Sequence, residues 1–231
     1  MAYMSGLSNK NLENLMLLHY SPPMSPLDIL HHDKDIIVLN KPSGLLSVPG
    51  RKDNMKDSLS LRVQAEFPTA TVVHRLDMDT SGIMIMALNK EAHRHISMQF
   101  EKRHTKKSYV AKLFGTVEGD QGEIDLPLII DWPNRPLNIV DHDNGKAALT
   151  RWEVLERSHD QTRIAFFPVT GRTHQLRVHA QSMGHPILGD SLYAHEQALG
   201  MADRLMLHAT MLALTHPYTK EDMTFTSEPN F

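Results

Sequence analysis

Residues 72–88 read VVHRLDMDTSGIMIMAL, an apolar run, a polar stretch rich in charge and hydroxyls, and a second apolar run. That pattern predicts strand, loop, strand, and a loop at the edge of a rigid sheet displays its side chains to whatever binds there. The side chains so displayed are Arg75, Asp77, Asp79, Thr80 and Ser81. An ordinary turn, in which Asp and Ser serve backbone N–H groups, accounts for the same letters, because DTSG is good turn chemistry.

Outward from this stretch, from Asp35 onward, short apolar runs alternate with turn residues: DIIVLNK, LLSV, ATVVH, SYVAKLFG, RWEVLE, RIAFFPV, LMLHATMLAL and DMTFT. Each reads as a strand. Two segments carry a helical period instead. Ala92, Ile96 and Phe100 recur at four-residue intervals; in residues 172–184, Leu176, Ala180 and Met183 share one face while His174, Arg177 and Gln181 share another, with Gly184 as the C-terminal cap. A third helix is expected within residues 56–66. Strands outnumber helices and do not alternate regularly with them, so the expected class is α+β with a mostly antiparallel sheet. Residues 1–26 lack sustained periodicity and read as a loosely attached, flexible arm, leaving 27–231 as one catalytic-sized domain.

Composition narrows the chemistry. The 231 residues are 41% hydrophobic and 22% charged, ordinary for a globular chain, and contain no Cys, which excludes disulfides, thiolate metal sites and a cysteine nucleophile together. The first thirty residues carry neither a secretory pattern nor a membrane-length apolar run, so a cytoplasmic location is expected. A net charge of −3 argues against indiscriminate binding to polyanions, and any affinity for RNA must come from local charge. Two stretches concentrate it. Residues 169–190 bring Arg172, His174, Arg177, His179 and His185 around a helix start, and residues 100–115 place Lys102, Arg103, Lys106, Lys107 and Lys112 beside Tyr109. Patterns for a hydrolase elbow, a dinucleotide fold, a P-loop or a zinc protease are missing. The paired histidines His31/His32 and His93/His95 do not share a helix face, so no metal site is expected.

In their order and spacing these pieces resemble the RluA family of pseudouridine synthases, from about Leu30 onward. The matching segments are NKPSGLLSVPG (40–50), HRLDMDTSG (74–82), KKSYVAKLFG (106–115), DLPLIIDWPNRP (125–136), TGRTHQLRVH (170–179), GHPILGD (184–190) and LMLHA (205–209). Within the family the chain looks most like the dual-specificity branch that lacks an S4-like domain.

The resemblance implies a pseudouridine synthase fold, a central mostly antiparallel sheet in two subdomains with the active site in the cleft between them. It implies that Asp77 is the catalytic carboxylate, Tyr109 the active-site tyrosine and Arg177 the arginine that pairs with Asp77. Arg75 would fill the space left by a flipped base and Leu176 would pack on that base. Arg172, Lys41, Lys106 and Lys107 are carried as RNA contacts. The reaction breaks the ribose C1′ bond to uracil N1 and joins C1′ to C5 with unchanged composition, so no cofactor is required. The implied partners are a tRNA anticodon stem-loop, modified at U32, and 23S rRNA, modified at U746, by a monomer with no membrane attachment. Two rivals stand beside this reading: an RNA glycosylase or nuclease using Asp77 with Asp79, and a non-catalytic RNA-binding or chaperone module.

Overall fold

Strand β4 (Ser81–Ala87) is buried at every position, which is why its sequence is an unbroken apolar run rather than an alternation. Its two faces serve different cores. Met84 and Met86 pack with Leu59 and Val63 of helix α1 (Leu59–Glu66), while Ile83, Ile85 and Ala87 pack with Ala92 and Ile96 of helix α2 (Lys90–Glu101). The computed structural model describes residues 20–231.

Around β4 runs a ten-stranded sheet in the order β1 (Ile29–His32), β2 (Ile36–Lys41), β4, β11 (Leu207–Thr215), β5 (Lys106–Phe114), β10 (Gln161–Pro168), β9 (Leu149–Arg157) and β6 (Gln121–Asp125). Strand β3 (Thr71–Val72) adds to β4 and β12 (Asp222–Thr226) to β11, while β7 (Leu128–Ile130) and β8 (Asn138–Val140) form a separate hairpin. Every pairing is antiparallel except β4 with β11, where Ser81 faces His208 and Gly82 faces Ala209. Gly82 is required there: its φ is +110°, and a Cβ would lie 2.3 Å from the Ala209 carbonyl oxygen. Ser81, expected to be displayed, is buried at this join and meets His208 Nδ1 at 2.8 Å.

The α+β class and the mostly antiparallel sheet are as the sequence indicates. One half of the sheet carries the cores on either face of β4; the other carries a core of Leu113, Ile164, Phe166, Leu176 and Ile187, and Tyr109 packs against both halves. Helix α2 is held by Asn89, which accepts the Ala92 N–H at 2.9 Å, and α1 starts at its Ser58 cap. Helix α3 (Gln175–Ser182) is shorter than the expected 172–184, because His174 adopts a left-handed φ of 56° and the helix can begin only after it. A short helix α4 (Glu196–Gly200) follows.

Two local expectations are corrected. LLSV at 45–48 is not a strand but a series of turns. Of the expected arm, residues 1–19 lie outside the described residues, and from Tyr20 the chain is tied down: the Tyr20 hydroxyl donates to the Asp57 carbonyl at 2.9 Å and accepts the Leu46 N–H at 3.0 Å, and Arg62 donates to the Pro23 carbonyl at 2.8 Å.

Candidate active site

The loop between β3 and β4 is held open by the segment that precedes α1. Ser47 Oγ donates to the Leu76 carbonyl at 2.6 Å and accepts the Leu76 N–H at 3.1 Å, Gly44 N donates to the Met78 carbonyl at 3.0 Å, and Ser43 Oγ donates to the Asp79 carbonyl at 2.7 Å. Residues 41–47 turn because their polar groups are needed here, which overrides the apolar run that reads as a strand.

Lys41 belongs to the same clamp. It is fully buried, and its ammonium donates to the carbonyls of Pro42, Leu45 and Met78 at 2.9, 2.7 and 2.8 Å. Burial pulls its pKa down to about 7, against the carboxylates of Asp79 and Asp77. Three protons on three carbonyls leave none for a phosphate, so the expected RNA contact at Lys41 is corrected to a structural staple.

Clamped in this way, the loop presents Asp77 to a cavity of about 570 Å³ whose wall also includes Arg75, Thr80, Lys107, Tyr109, Arg172 and Arg177. Asp77 is 28% exposed and has a different neighbour on each oxygen, Arg177 Nη1 3.7 Å from Oδ2 and His174 Nε2 3.9 Å from Oδ1. The guanidinium fork of Arg177 does not grip Asp77, as the resemblance implies, but Asp190, at 2.8 and 2.6 Å. Burial would lower the pKa of Arg177, but the hydrogen bonds and charge of Asp190, backed by Asp77 and Asp79, hold it above the ordinary value. It is a permanent cation beside Asp77.

The remaining walls follow from strand and helix geometry. Lys107 and Tyr109 alternate along β5, and Thr105 precedes them in the loop before it, so the three reach the cavity together, whereas exposed Lys106 points to the other face of the strand and does not line it. Burial lowers the pKa of Lys107. Burial, with Asp77 adding to it, raises that of Tyr109 far above the usual phenol value. Leu176 lines the cavity from the first turn of α3. Arg75 stands exposed at the mouth, and Arg172 is anchored by a bond from Nε to the Ala147 carbonyl at 3.1 Å.

The basic cluster at 169–190 therefore divides. Arg172, His174 and Arg177 face the cavity. His179 is buried between the Thr150 hydroxyl and the Leu126 carbonyl, and His185 sits against the Phe114 carbonyl. Asp79, the second carboxylate of a glycosylase reading, is not part of the cavity wall, and burial raises its pKa. Reasoning from sequence missed the roles of Asp190 and Tyr193. Asp190 stood in the quoted GHPILGD segment, but nothing in its periodicity or local charge ties it to Arg177.

Comparison with known proteins gives one answer at several depths. The profile of the family described as RNA pseudouridylate synthase matches residues 35–182. The dual-specificity RNA pseudouridine synthase RluA of Yersinia pestis is 54% identical over 204 residues, covering 88% of this chain and 99% of that protein. The protein of the same name in Escherichia coli K12 is 52% identical over 215 residues, covering 92% and 98%. Among solved structures, human RNA Pseudouridylate Synthase Domain Containing 1 superposes with a TM-score of 0.76 at 29% identity, covering 91% of this chain and 87% of that one. A likeness that runs through both halves of the sheet and the cleft between them leaves one conclusion: the chain belongs to the RNA pseudouridylate synthase family, whose members isomerise uridine to pseudouridine.

Proposed function

We propose that the chain isomerises looped uridines in two kinds of RNA, U32 of a tRNA anticodon loop and U746 of 23S rRNA, with Asp77 as the catalytic carboxylate. The observation that carries this reading is Asp77 itself, held in the cavity wall with a cation beside one oxygen and an imidazole beside the other. Support for two substrates comes from the relatives, which are named as dual-specificity enzymes.

Breaking the bond from C1′ to N1 develops positive charge on the sugar, and an ionised carboxylate can stabilise that charge, attack, or take a proton. Arg177 sets a fixed positive charge beside one oxygen of Asp77 and orients it. The detached base must turn without escaping, which favours a water-poor pocket with apolar walls, here Leu176 and the ring of Tyr109. The raised pKa of Tyr109 makes it a neutral phenol, so it serves as wall and hydrogen-bond partner rather than as a resident base. Arg75, with no hydrogen-bond or ion-pair partner among the described residues, enters the helix or loop stack in place of the flipped base. Arg172 and Lys107, both on the cavity wall, meet phosphates.

No helix among the described residues is long and apolar enough to cross a membrane. The enzyme acts as a cytoplasmic monomer without cofactor. The test is tritium release from anticodon stem-loop and 23S-fragment RNAs carrying uridine tritiated at C5. Wild type should release tritium from both, and Asp77→Asn from neither, with RNA affinity kept within about tenfold because positioning contacts outnumber the catalytic one. Release by Asp77→Asn would remove Asp77 from the chemistry, and release from one RNA alone would remove the dual specificity.

A further inference from the structure

The turn after Gly189 braces both neighbours of Asp77. Asp190 Oδ1 accepts the N–H groups of Leu192 and Tyr193 at 2.9 and 3.1 Å in addition to Arg177 Nη2. The same turn buries Tyr193, whose ring lies 5.2 Å from the guanidinium carbon of Arg177. The Tyr193 hydroxyl accepts the Asn138 N–H at 2.9 Å and lies 2.7 Å from His174 Nδ1, to which it can give its proton.

That bond decides which nitrogen of His174 carries a proton. Burial holds the imidazole below its usual pKa, against the pull of Asp77, so the ring is neutral at pH 7. With Nδ1 accepting from Tyr193, the single ring proton sits on Nε2, the atom that faces Asp77 Oδ1 at 3.9 Å. His174 is held in this pose at a backbone φ of 56°, a conformation non-glycine residues seldom keep without a surrounding structure that imposes it. The separation exceeds a formed hydrogen bond; such contacts tighten when substrate closes the site.

We propose that His174 is a positioning residue for Asp77, offering an Nε2–H to the oxygen that Arg177 does not face, with its tautomer set by the Tyr193 hydroxyl. The turn 190–193 thereby fixes the carboxylate from both sides, through Asp190 and Arg177 on one and through Tyr193 and His174 on the other. This rests on Asp77 being the catalytic carboxylate.

The experiment joins nitrogen-15 NMR of the histidine rings with single-turnover tritium release. In wild type, His174 should show protonated Nε2 and unprotonated Nδ1; the opposite tautomer overturns the proposal, whatever any variant does. Tyr193→Phe and His174→Ala should each lower the single-turnover rate about tenfold or more while RNA affinity stays within about twofold. His174→Gln carries a side-chain N–H at about the reach of Nε2, so it should recover part of the rate lost in His174→Ala. Wild-type rates in Tyr193→Phe and His174→Ala beside an inactive Asp77→Asn overturn this inference alone, whereas an active Asp77→Asn overturns the assignment beneath it.

Discussion

Arg177 grips Asp190 with both arms of its guanidinium fork, at 2.8 and 2.6 Å, and both side chains are almost completely shut from water. The pair is an anchored cation, and the nitrogen left over is the one that faces Asp77. Removing either partner strands a buried charge.

Asp190→Asn should therefore lower stability by about 3 kcal/mol in denaturant unfolding. Arg177→Lys, a point charge that cannot span two carboxylates, should lower the rate of tritium release about tenfold or more without a matching loss of RNA affinity. An Arg177→Lys enzyme with full activity would show that the fork is dispensable.

Lys41 and Arg172 separate structural from phosphate-binding cations. Lys41→Met takes the ammonium away from three carbonyls, of which, among the described residues, only that of Met78 keeps another donor, the Gly44 N–H, and should cost about 3 kcal/mol of stability. The salt dependence of RNA binding should be unchanged in that variant. Arg172→Gln should instead leave stability intact and flatten the plot of log affinity against log salt by about 0.7–0.9 for each phosphate no longer neutralised.

The titration of Tyr109 lies above the working range of the enzyme because burial and the Asp77 charge both favour the neutral phenol. The rate–pH profile should accordingly carry no rising limb from this residue up to about pH 10. The profile of Tyr109→Phe, at whatever amplitude it retains, should have the same shape as wild type. A limb present in wild type and missing from the variant would make Tyr109 a base.

Far from the cleft, Asp33 is held down to about 2, despite burial that would raise it, by the His31 side chain, the N–H groups of Asp35 and Ile36, and His216. Its folded pKa is depressed, so its contribution is present above the unfolded value near 4 and lost as pH falls toward 2. Asp33→Asn should cost about 2 kcal/mol at neutral pH, with the difference from wild type closing between about pH 4 and pH 2. The ligand atoms of Asp33, Asp35 and His216 lie within 4.8 Å of one another, near enough for a metal ion. The chemistry disfavours one: His216 Nδ1 accepts the N–H groups of Tyr218 and Thr219, which puts the ring proton on Nε2 facing Asp33 and leaves no lone pair for an ion.

Strand β4 and helix α2 were legible in the sequence because local periodicity and burial agree in them, and the loop carrying Asp77 was legible because its polar letters interrupt an apolar run. What could not be read was long-range. LLSV looks like a strand until its neighbours are recruited to hold Leu76 and Met78, and Lys41 looks like a surface cation until three carbonyls converge on it. His174 fits a helical face by spacing, yet its backbone is left-handed, and its link to Tyr193 spans nineteen positions. Such pairings depend on which segments the fold brings together, and no local periodicity marks the two partners.

The parallel join between β4 and β11 also dictates when the enzyme comes into being. β11 begins at residue 207 but lies between β4 and β5, which are complete by residue 114. A ribosome that has already delivered Asp77, Tyr109, Arg177 and Asp190 has made every reactive part without the strand that unites the walls. Since chains emerge amino end first, the cleft cannot close until residues 207–215 have been made. A chain still short of β11 is thus inert toward RNA, however complete its set of reactive side chains.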